Sequence, residues 1–196
     1  MGGAARSSGA HAVQLRLAEA RDEPALASLI ALSARTLQAA TYAPAQIEAA
    51  LGSVFAVDTQ LIADRTYYVA ERGGVIVGCG GWSRRKTLFG AHGTSASGED
   101  TPLDPTRDAA RIRAFFVHPA HARQGIGREL LVTCERAAIA AGFRRLELVA
   151  TLAGEPLYLA ADFRAVERYE IRLPDGSALP AVRMVKTPSP GFAAPR

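Results

Sequence analysis

The sequence predicts a mixed β-sheet covered by helices, of class α/β or α+β, and three observations support this. Segments with an apolar residue at every second position alternate along the chain with segments in which apolar residues recur every three or four positions. Two short turns, Arg72-Gly73-Gly74 and Pro174-Asp175-Gly176, each join two strand-like segments, as in a β-hairpin. The clearest helical pattern, over 126–141, lies between two further strand-like segments.

The first part of the chain indicates a strand, then helices, then a hairpin. Apolar and polar residues alternate over 13–17 and predict an opening strand. Asp22 is placed to cap a first helix, a second helix is predicted to begin near Pro44, and Asp58 is placed to cap a short third one. Residues 67–82 then have the pattern of two strands joined by a tight turn.

The second part begins with a long polar loop over 83–108, which has no periodicity and is rich in Gly, Ser, Thr, Asp and Pro. A strand is predicted over 111–117, and the amphipathic helix over 126–141 is expected to end at Gly142. The remaining predicted elements are a strand over 146–150, a short helix over 156–161 and a final hairpin from 164–171 and 182–186.

Composition narrows the class of protein. A chain of 196 residues with 48% hydrophobic residues is expected to form one domain, over 13–187, with loose tails at 1–12 and 188–196. The net charge is +4 without a long basic run, which does not favour nucleic-acid binding. No stretch approaches the roughly 18 apolar residues of a membrane span, so we expect a cytoplasmic protein without membrane contact. Cys79 and Cys134 are expected to be buried free thiols, and no metal-ligand spacing occurs.

Residues 116–128 are the most informative segment. A strand stops at a proline, a polar turn follows, and Gly125 and Gly127 open the long helix. Glycines there let the backbone approach a ligand, and the first N–H groups of a helix lack intrahelical acceptors and lie at the positive end of its dipole. Arg123 and Arg128 add positive charge at the same end. The segment predicts a site for an anion such as a pyrophosphate. The open alternative is that the glycines only allow the chain to turn into the helix and that no ligand binds there.

Two nucleotide-binding motifs do not fit this segment. A dinucleotide-binding fold requires a third glycine where Glu129 stands and places its loop early in the chain, and a Walker loop requires Gly-Lys-Ser/Thr after the second glycine. The segment instead resembles the acyl-CoA-binding motif of the GNAT superfamily of N-acetyltransferases, Q/R-x-x-G-x-G/A after a strand that ends in hydrophobic-x-Pro. Residues 122–127 match this motif, with Ala122 at the first position, and the order of elements matches the family over about 13–187.

The resemblance implies a GNAT-like fold, with a mixed, mostly antiparallel central sheet of about six or seven strands flanked by helices. It implies acetyl-CoA as co-substrate and no metal. The backbone of Phe115, Phe116 and Val117 would bind the pantetheine and the acetyl carbonyl, and the N–H of Phe116 or Val117 would polarise the thioester. The residues implied to hold the pyrophosphate are Ala122, Arg123, Gln124, Gly125, Ile126, Gly127 and Arg128.

A tyrosine and several further side chains are candidates for proton transfer. Tyr158 precedes Phe163 by five positions, in a segment that resembles the family helix whose tyrosine lies near the CoA sulfur. We expect it to protonate the departing thiolate, because a phenol pKa of about 10 is not far above the thiol value of about 8.5. Glu147 lies in a strand resembling the one in which some members carry a catalytic Glu, and it is a candidate base; an exposed carboxylate without a role is the alternative. Glu155 and His118 are further candidates.

The family layout implies that the amine acceptor lies against the first two helices and the 83–108 loop. Tyr42, Trp82 and Phe89 are expected to form an aromatic wall there, with ordinary core positions as the alternative. The acidic residues of the loop favour a positively charged amine; they are Glu99, Asp100, Asp104 and Asp108.

Taken together, the resemblance predicts an N-acetyltransferase that moves an acetyl group from acetyl-CoA to the primary amine of a small molecule or peptide. The amine would attack directly in a ternary complex, since neither cysteine lies in a motif typical of a nucleophile. A non-catalytic acyl-CoA sensor on the same fold is an alternative, and a phosphate-binding regulator is a third. A homodimer is possible because the family often forms dimers.

Overall fold

The structure is a computed structural model that describes residues 12–87 and 101–188. The strands are β1 (Gln14–Leu17), β2 (Tyr67–Arg72), β3 (Val75–Ser83), β4 (Ala110–Val117), β5 (Leu146–Thr151), β6 (Arg164–Arg172) and β7 (Ala178–Lys186). The helices are α1 (Glu23–Leu37), α2 (Pro44–Ala50), α3 (Thr59–Ala63), α4 (Ile126–Ala140) and α5 (Glu155–Leu159). Within the described ranges these strands form one sheet in the order β1-β2-β3-β4-β5-β7-β6. Only the β4–β5 pair is parallel there, which confirms the predicted mixed, mostly antiparallel sheet.

Helices cover both faces of this sheet, because alternate strand residues point to opposite faces and both sets are apolar in the middle strands. The core beneath α1 and α2 includes Leu26, Ile30, Ile47, Val69 and Cys79. The core beneath α4 and α5 includes Ile112, Leu131, Cys134, Leu148 and Tyr158. Both cysteines are buried free thiols, as predicted.

The sheet opens at its centre, between β4 and β5. Their parallel pairing runs only from Ala110 opposite Leu146 to Ile112 opposite Leu148. Beyond that point β4 stays paired with β3, and β5 stays paired with β7. The register between β3 and β4 also shifts here, and Ala114 takes a positive φ of 60°, so β4 bulges where it leaves β5. The two strands therefore diverge towards their carboxyl ends and leave a gap in the sheet.

The predicted helix boundaries agree with the structure, apart from one cap. Asp58 caps α3 by accepting the N–H of Leu61 at 3.1 Å, and Gly142, with a φ of +95°, follows the last turn of α4. Asp22 is the N-cap residue of α1, as predicted, but its side chain makes no capping hydrogen bond to that helix. Its carboxylate instead accepts hydrogen bonds from Arg16 and from the backbone N–H of Glu19.

The two ends of the long polar loop pair with each other. The N–H of Leu103 donates to the Arg84 carbonyl at 2.7 Å, and the N–H of Lys86 donates to the Thr101 carbonyl at 3.1 Å. Residues 88–100 lie outside the described part of the chain, as do 1–11 and 189–196. None of the described helices is long and apolar enough to cross a membrane. Among the described residues, no three His, Cys, Asp or Glu side chains are grouped so that they could hold a metal ion.

Candidate active site

A cavity of about 580 Å³ occupies the gap between β4 and β5. Residues 114–117 of β4 form one wall, and 149–151 of β5 form the opposite wall. The start of α4 and residues 156–158 of α5 line the cavity on one face of the sheet, while the end of α1, residues 54–56 and Asp58 line it on the other. The divergence of two parallel strands next to a helix N-terminus is therefore what creates the site, as is common in open sheets.

The loop before α4 presents a row of unpaired donors to this cavity. The backbone N–H groups of residues 123–128 donate to no group in the described chain, whereas the Glu129 N–H makes the first α-helical bond, to the Gly125 carbonyl at 3.0 Å. Arg123 and Gly125 both have positive φ, +62° and +87°, which turns successive N–H groups to the same side. The side chains of Arg123 and Arg128 belong to the cavity lining. This end of the cavity is suited to an anion.

Nearly all the residues implied to bind acyl-CoA line the cavity. They are Phe115, Phe116, Val117, Ala122, Arg123, Gly125, Ile126, Gly127 and Arg128. Gln124 is the exception, because its side chain turns back to the protein: the amide oxygen accepts from Arg72 at 2.8 Å, and the amide nitrogen donates to the Ala120 carbonyl at 3.2 Å. Their role in binding stays a prediction, but the structure brings them together around one cavity.

Tyr158 lines the same cavity and is only 7% exposed. Its ring packs edge-on against Phe115, with centroids 6.2 Å apart, and against Phe163 at 5.9 Å. The far end of the Phe115 ring in turn lies against Gly80, where an added Cβ would come within 2.7 Å of it, so the glycine leaves room for this close approach. The Tyr158 hydroxyl makes no hydrogen bond to any described residue. Burial raises the pKa of Tyr158 above its ordinary value of 10.0, which keeps the phenol protonated at neutral pH.

The three expected candidates for a base lie outside the described lining of the cavity. Glu147 is held between two arginines: Arg111 donates to one carboxylate oxygen, and Arg183 donates to the other at 2.9 Å. Glu155 pairs with Arg168 at 2.9 Å. The His118 ring accepts the N–H of Ala120 through Nδ1 at 3.2 Å and so braces the loop. That Glu147 acts as a base stays a prediction, and its geometry does not favour it.

Asp58 is a carboxylate of the cavity lining that the sequence analysis treated only as a helix cap. It is 3% exposed, and its Oδ2 lies 2.9 Å from Nε of Arg113, which is also buried, at 7%. Arg113 also donates from Nη1 to the Thr87 carbonyl at 2.9 Å. An arginine between Ile112 and Ala114, inside an apolar strand, was the available signal, because a buried arginine requires an acidic partner.

The expected aromatic wall is wrong. Tyr42 and Trp82 are buried in the cores of opposite faces, and neither lines the cavity. The Tyr42 hydroxyl donates to the Pro180 carbonyl at 2.6 Å and accepts from the Leu152 N–H at 2.8 Å, so it ties the segment between α1 and α2 to β7 and to the residue that follows β5. Phe89, with Glu99 and Asp100, lies outside the described residues.

The two remaining acidic residues of the loop also lie away from the cavity lining. Asp108 accepts the N–H of Asp104 at 2.8 Å, and Asp104 in turn accepts from Thr106. These contacts close a local turn. Asp104 and Asp108 therefore give no support to the expectation that the acceptor is a cationic amine.

Comparison with known protein families identifies one match. The model of the family described as "Acetyltransferase (GNAT) family" matches residues 34–163, which is more than half of the chain. The matched segment runs from within α1 to the residue before β6 and includes all of the lining residues of the cavity except Ser33 and Ile171. A comparison with curated protein sequences gives no match.

Solved structures share the fold at low sequence identity. A GCN5-related N-acetyltransferase from Rhodopseudomonas palustris superposes with a TM-score of 0.67 and 23% identity, over 89% of this chain and 94% of that one. The PaiA N-acetyltransferase of Thermoplasma acidophilum, in complex with coenzyme A, gives 0.61 and 14%, over 90% and 99%. A GNAT family acetyltransferase of Brucella melitensis, in complex with acetyl-CoA, gives 0.54 and 17%, over 95% and 93%.

Proposed function

This chain belongs to the GNAT acetyltransferase family, and on that premise we propose that it transfers an acetyl group from acetyl-CoA to the primary amine of a small molecule or peptide. One observation carries the proposal. One cavity is lined both by the residues at the start of α4 whose N–H groups are unpaired and by Tyr158, whose hydroxyl no described residue binds. The first suits the phosphates of acetyl-CoA, and the second suits the sulfur that the reaction releases.

The pyrophosphate would lie against residues 123–128. Several N–H groups converge there, at the positive end of a helix of 15 residues, and Arg123 and Arg128 supply full positive charges. Two of the structural neighbours were solved with coenzyme A or acetyl-CoA, which supports the same class of ligand here.

The pantetheine and the acetyl group would lie along β4. Beyond Ile112 the edge of β4 that faces β5 has lost its strand partner, so backbone groups of 115–117 are available to a ligand. In the proposal the N–H of Phe116 or Val117 donates to the thioester carbonyl and stabilises the negative charge that develops on its oxygen.

The transfer itself needs a neutral amine and a proton for sulfur. The amine nitrogen attacks the carbonyl carbon, the C–S bond breaks with its electron pair passing to sulfur, and the Tyr158 hydroxyl gives sulfur its proton. The proton lost by the amine passes to water, and the phenol regains its proton from water. We assign Glu147 no step, because Arg111 and Arg183 hold both of its oxygens outside the cavity.

The test is the release of free CoA thiol from acetyl-CoA in the presence of a panel of primary amines, including amino acids, a polyamine and peptides with free N-termini. We expect amine-dependent release with at least one acceptor, together with a product heavier by one acetyl group. Tight acetyl-CoA binding without turnover on any amine would instead favour the sensor interpretation. Failure to bind acetyl-CoA would overturn both.

Replacing Gly125 with Val is expected to weaken acetyl-CoA binding by about tenfold or more. A β-branched residue strongly disfavours a φ of +87°, so the turn would change and the N–H row would lose its alignment. Calorimetric titration with acetyl-CoA measures the effect.

Gly176→Val is the matched control for this variant. Gly176 has a similar φ of +85° and equally open surroundings, but it lies in the turn between β6 and β7. The Gly176→Val variant is expected to lose about as much folding stability as Gly125→Val, but to keep the wild-type affinity for acetyl-CoA. Equal losses of affinity in the two variants would contradict the assignment of the phosphate site.

A further inference from the structure

Arg72, the last residue of β2, reaches across to the loop that precedes α4. Its Nη1 lies 3.1 Å from Nδ1 of His121 and 2.8 Å from Oε1 of Gln124. A guanidinium has donors only, so Nδ1 of His121 accepts in this contact. The neutral imidazole then carries its proton on Nε2, and Arg72 fixes that tautomer.

His121 belongs to the lining of the cavity, in the same loop as the unpaired N–H groups. The position where the acyl-CoA motif has a Gln or Arg side chain is Ala122 here, which offers no side-chain donor. Ala122 therefore supplies no side-chain hydrogen bond here, whereas the preceding residue, His121, lines the cavity with a side chain that can donate one.

We propose that His121, held as the Nε2–H tautomer by Arg72, donates a hydrogen bond to a phosphate oxygen of acetyl-CoA and replaces the contact that Ala122 lacks. This inference rests on the proposed function. Arg72 is a positioning residue in it: it orients His121 directly and holds Gln124, whose amide nitrogen braces the loop through the Ala120 carbonyl.

The groups around His121 disfavour its protonation in the free protein. Arg72 faces it from β2, the His118 ring lies 5.4 Å away in the same loop, and Arg123 and Arg128 line the same cavity. Burial lowers the pKa of His121 below its ordinary 6.5, and the charges of Arg72 and His118 lower it further. Binding of a phosphate acts in the opposite direction, because an anion favours the protonated ring.

Removal of Arg72 thus has two expected effects of opposite sign. Arg72→Met should weaken acetyl-CoA binding about threefold to tenfold at pH 8, since the tautomer and the loop are no longer held. It should also bring the pKa of His121 back towards 6.5, so that the ring takes up a proton as the pH falls from 8 to 6. The affinity deficit is then expected to shrink at pH 6.

The experiment is calorimetric titration of acetyl-CoA at pH 6 and pH 8 into the full-length protein. Arg164→Met, at an exposed arginine of β6, controls for the loss of one positive charge and should bind as the wild type does. His121→Phe should bind weakly at both pH values, while His121→Gln, which keeps a side-chain donor, should recover part of the affinity. In the double variant Arg72→Met/His121→Phe, the affinity for acetyl-CoA should stay low at pH 6, because no imidazole is left to take up a proton.

A second titration, with dephospho-CoA, identifies the phosphate. The 3′-phosphate has a second pKa of about 6 and titrates in the same window. If Arg72→Met also binds dephospho-CoA more weakly than the wild type does, the contact of His121 is to the pyrophosphate. If the two proteins bind dephospho-CoA equally well, the contact is to the 3′-phosphate. A deficit equal at both pH values, or wild-type affinity in His121→Phe, would overturn the inference while leaving the proposed function in place. A wild-type protein that binds no acetyl-CoA would overturn both.

Discussion

Tyr158→Phe is expected to lower kcat by about 100-fold or more and to leave the Kd for acetyl-CoA nearly unchanged. The substitution removes one oxygen atom and keeps the ring that packs between Phe115 and Phe163. Without the phenol the thiolate must leave unprotonated or take its proton from water. Steady-state kinetics on an accepted amine, together with calorimetric titration, separates the two quantities.

The pH profile adds a second criterion for Tyr158. Because burial raises its pKa above 10.0, the acid form is fully present at neutral pH and is lost only when the pH rises past that value. Activity of the wild type should therefore rise with pH as the acceptor amine loses its proton, without a basic limb below pH 10. Tyr158→Phe should keep the same rising limb at a lower level.

Tyr68→Phe is the matched control for Tyr158→Phe. Tyr68 is a half-buried tyrosine of β2 packed near α4, and it does not line the cavity. Loss of its hydroxyl should leave kcat unchanged. A Tyr158→Phe enzyme with wild-type kcat, or the same loss in both variants, would remove Tyr158 from the mechanism.

The largest expected effect on stability comes from Asp58→Ala, which should lower the free energy of unfolding by about 3–5 kcal/mol. The Arg113 and Asp58 side chains are only 6% and 4% exposed, so the substitution leaves a buried guanidinium without its carboxylate. It also removes the acceptor that caps α3. Urea denaturation measures the change, provided that the m-value stays constant.

Glu48→Ala is the control for this stability prediction. It breaks a pair of similar length, 2.6 Å to Arg35, whose side chains are 54% and 55% exposed, and should change the urea midpoint far less than Asp58→Ala because solvent screens the pair. If Asp58→Ala does not accumulate as folded protein, Asp58→Ala/Arg113→Met should restore part of the stability, because it removes the unpaired charge. Equal urea midpoints for Asp58→Ala and Glu48→Ala would contradict the account of the buried pair.

The fold could be predicted from the sequence because its signals are local. The hairpin turns, the glycine that ends α4 and the loop that begins it each depend on a few neighbouring residues. The lining residues in this loop and in β4 could be predicted for the same reason, because they all lie in one continuous strand–loop–helix segment.

The parts that the sequence did not reveal depend on residues far apart in the chain. Alternation along β5 puts Glu147 on the face opposite Leu146 and Leu148, but its partners come from two other strands, which only the order β4-β5-β7 brings together. Core positions were the open alternative for Tyr42 and Trp82, but the sequence does not show which face of the sheet each of them covers.

The measurement that tests the central claim most directly is the thermal unfolding midpoint in the presence of acetyl-CoA, ATP or NAD. A ligand at 100 times its Kd stabilises the native state by about 2.7 kcal/mol, which corresponds to roughly 5–10 °C for a protein of this size. We expect a rise of this order with acetyl-CoA and little or none with ATP or NAD. A midpoint unchanged by acetyl-CoA, or raised equally by ATP, would contradict it.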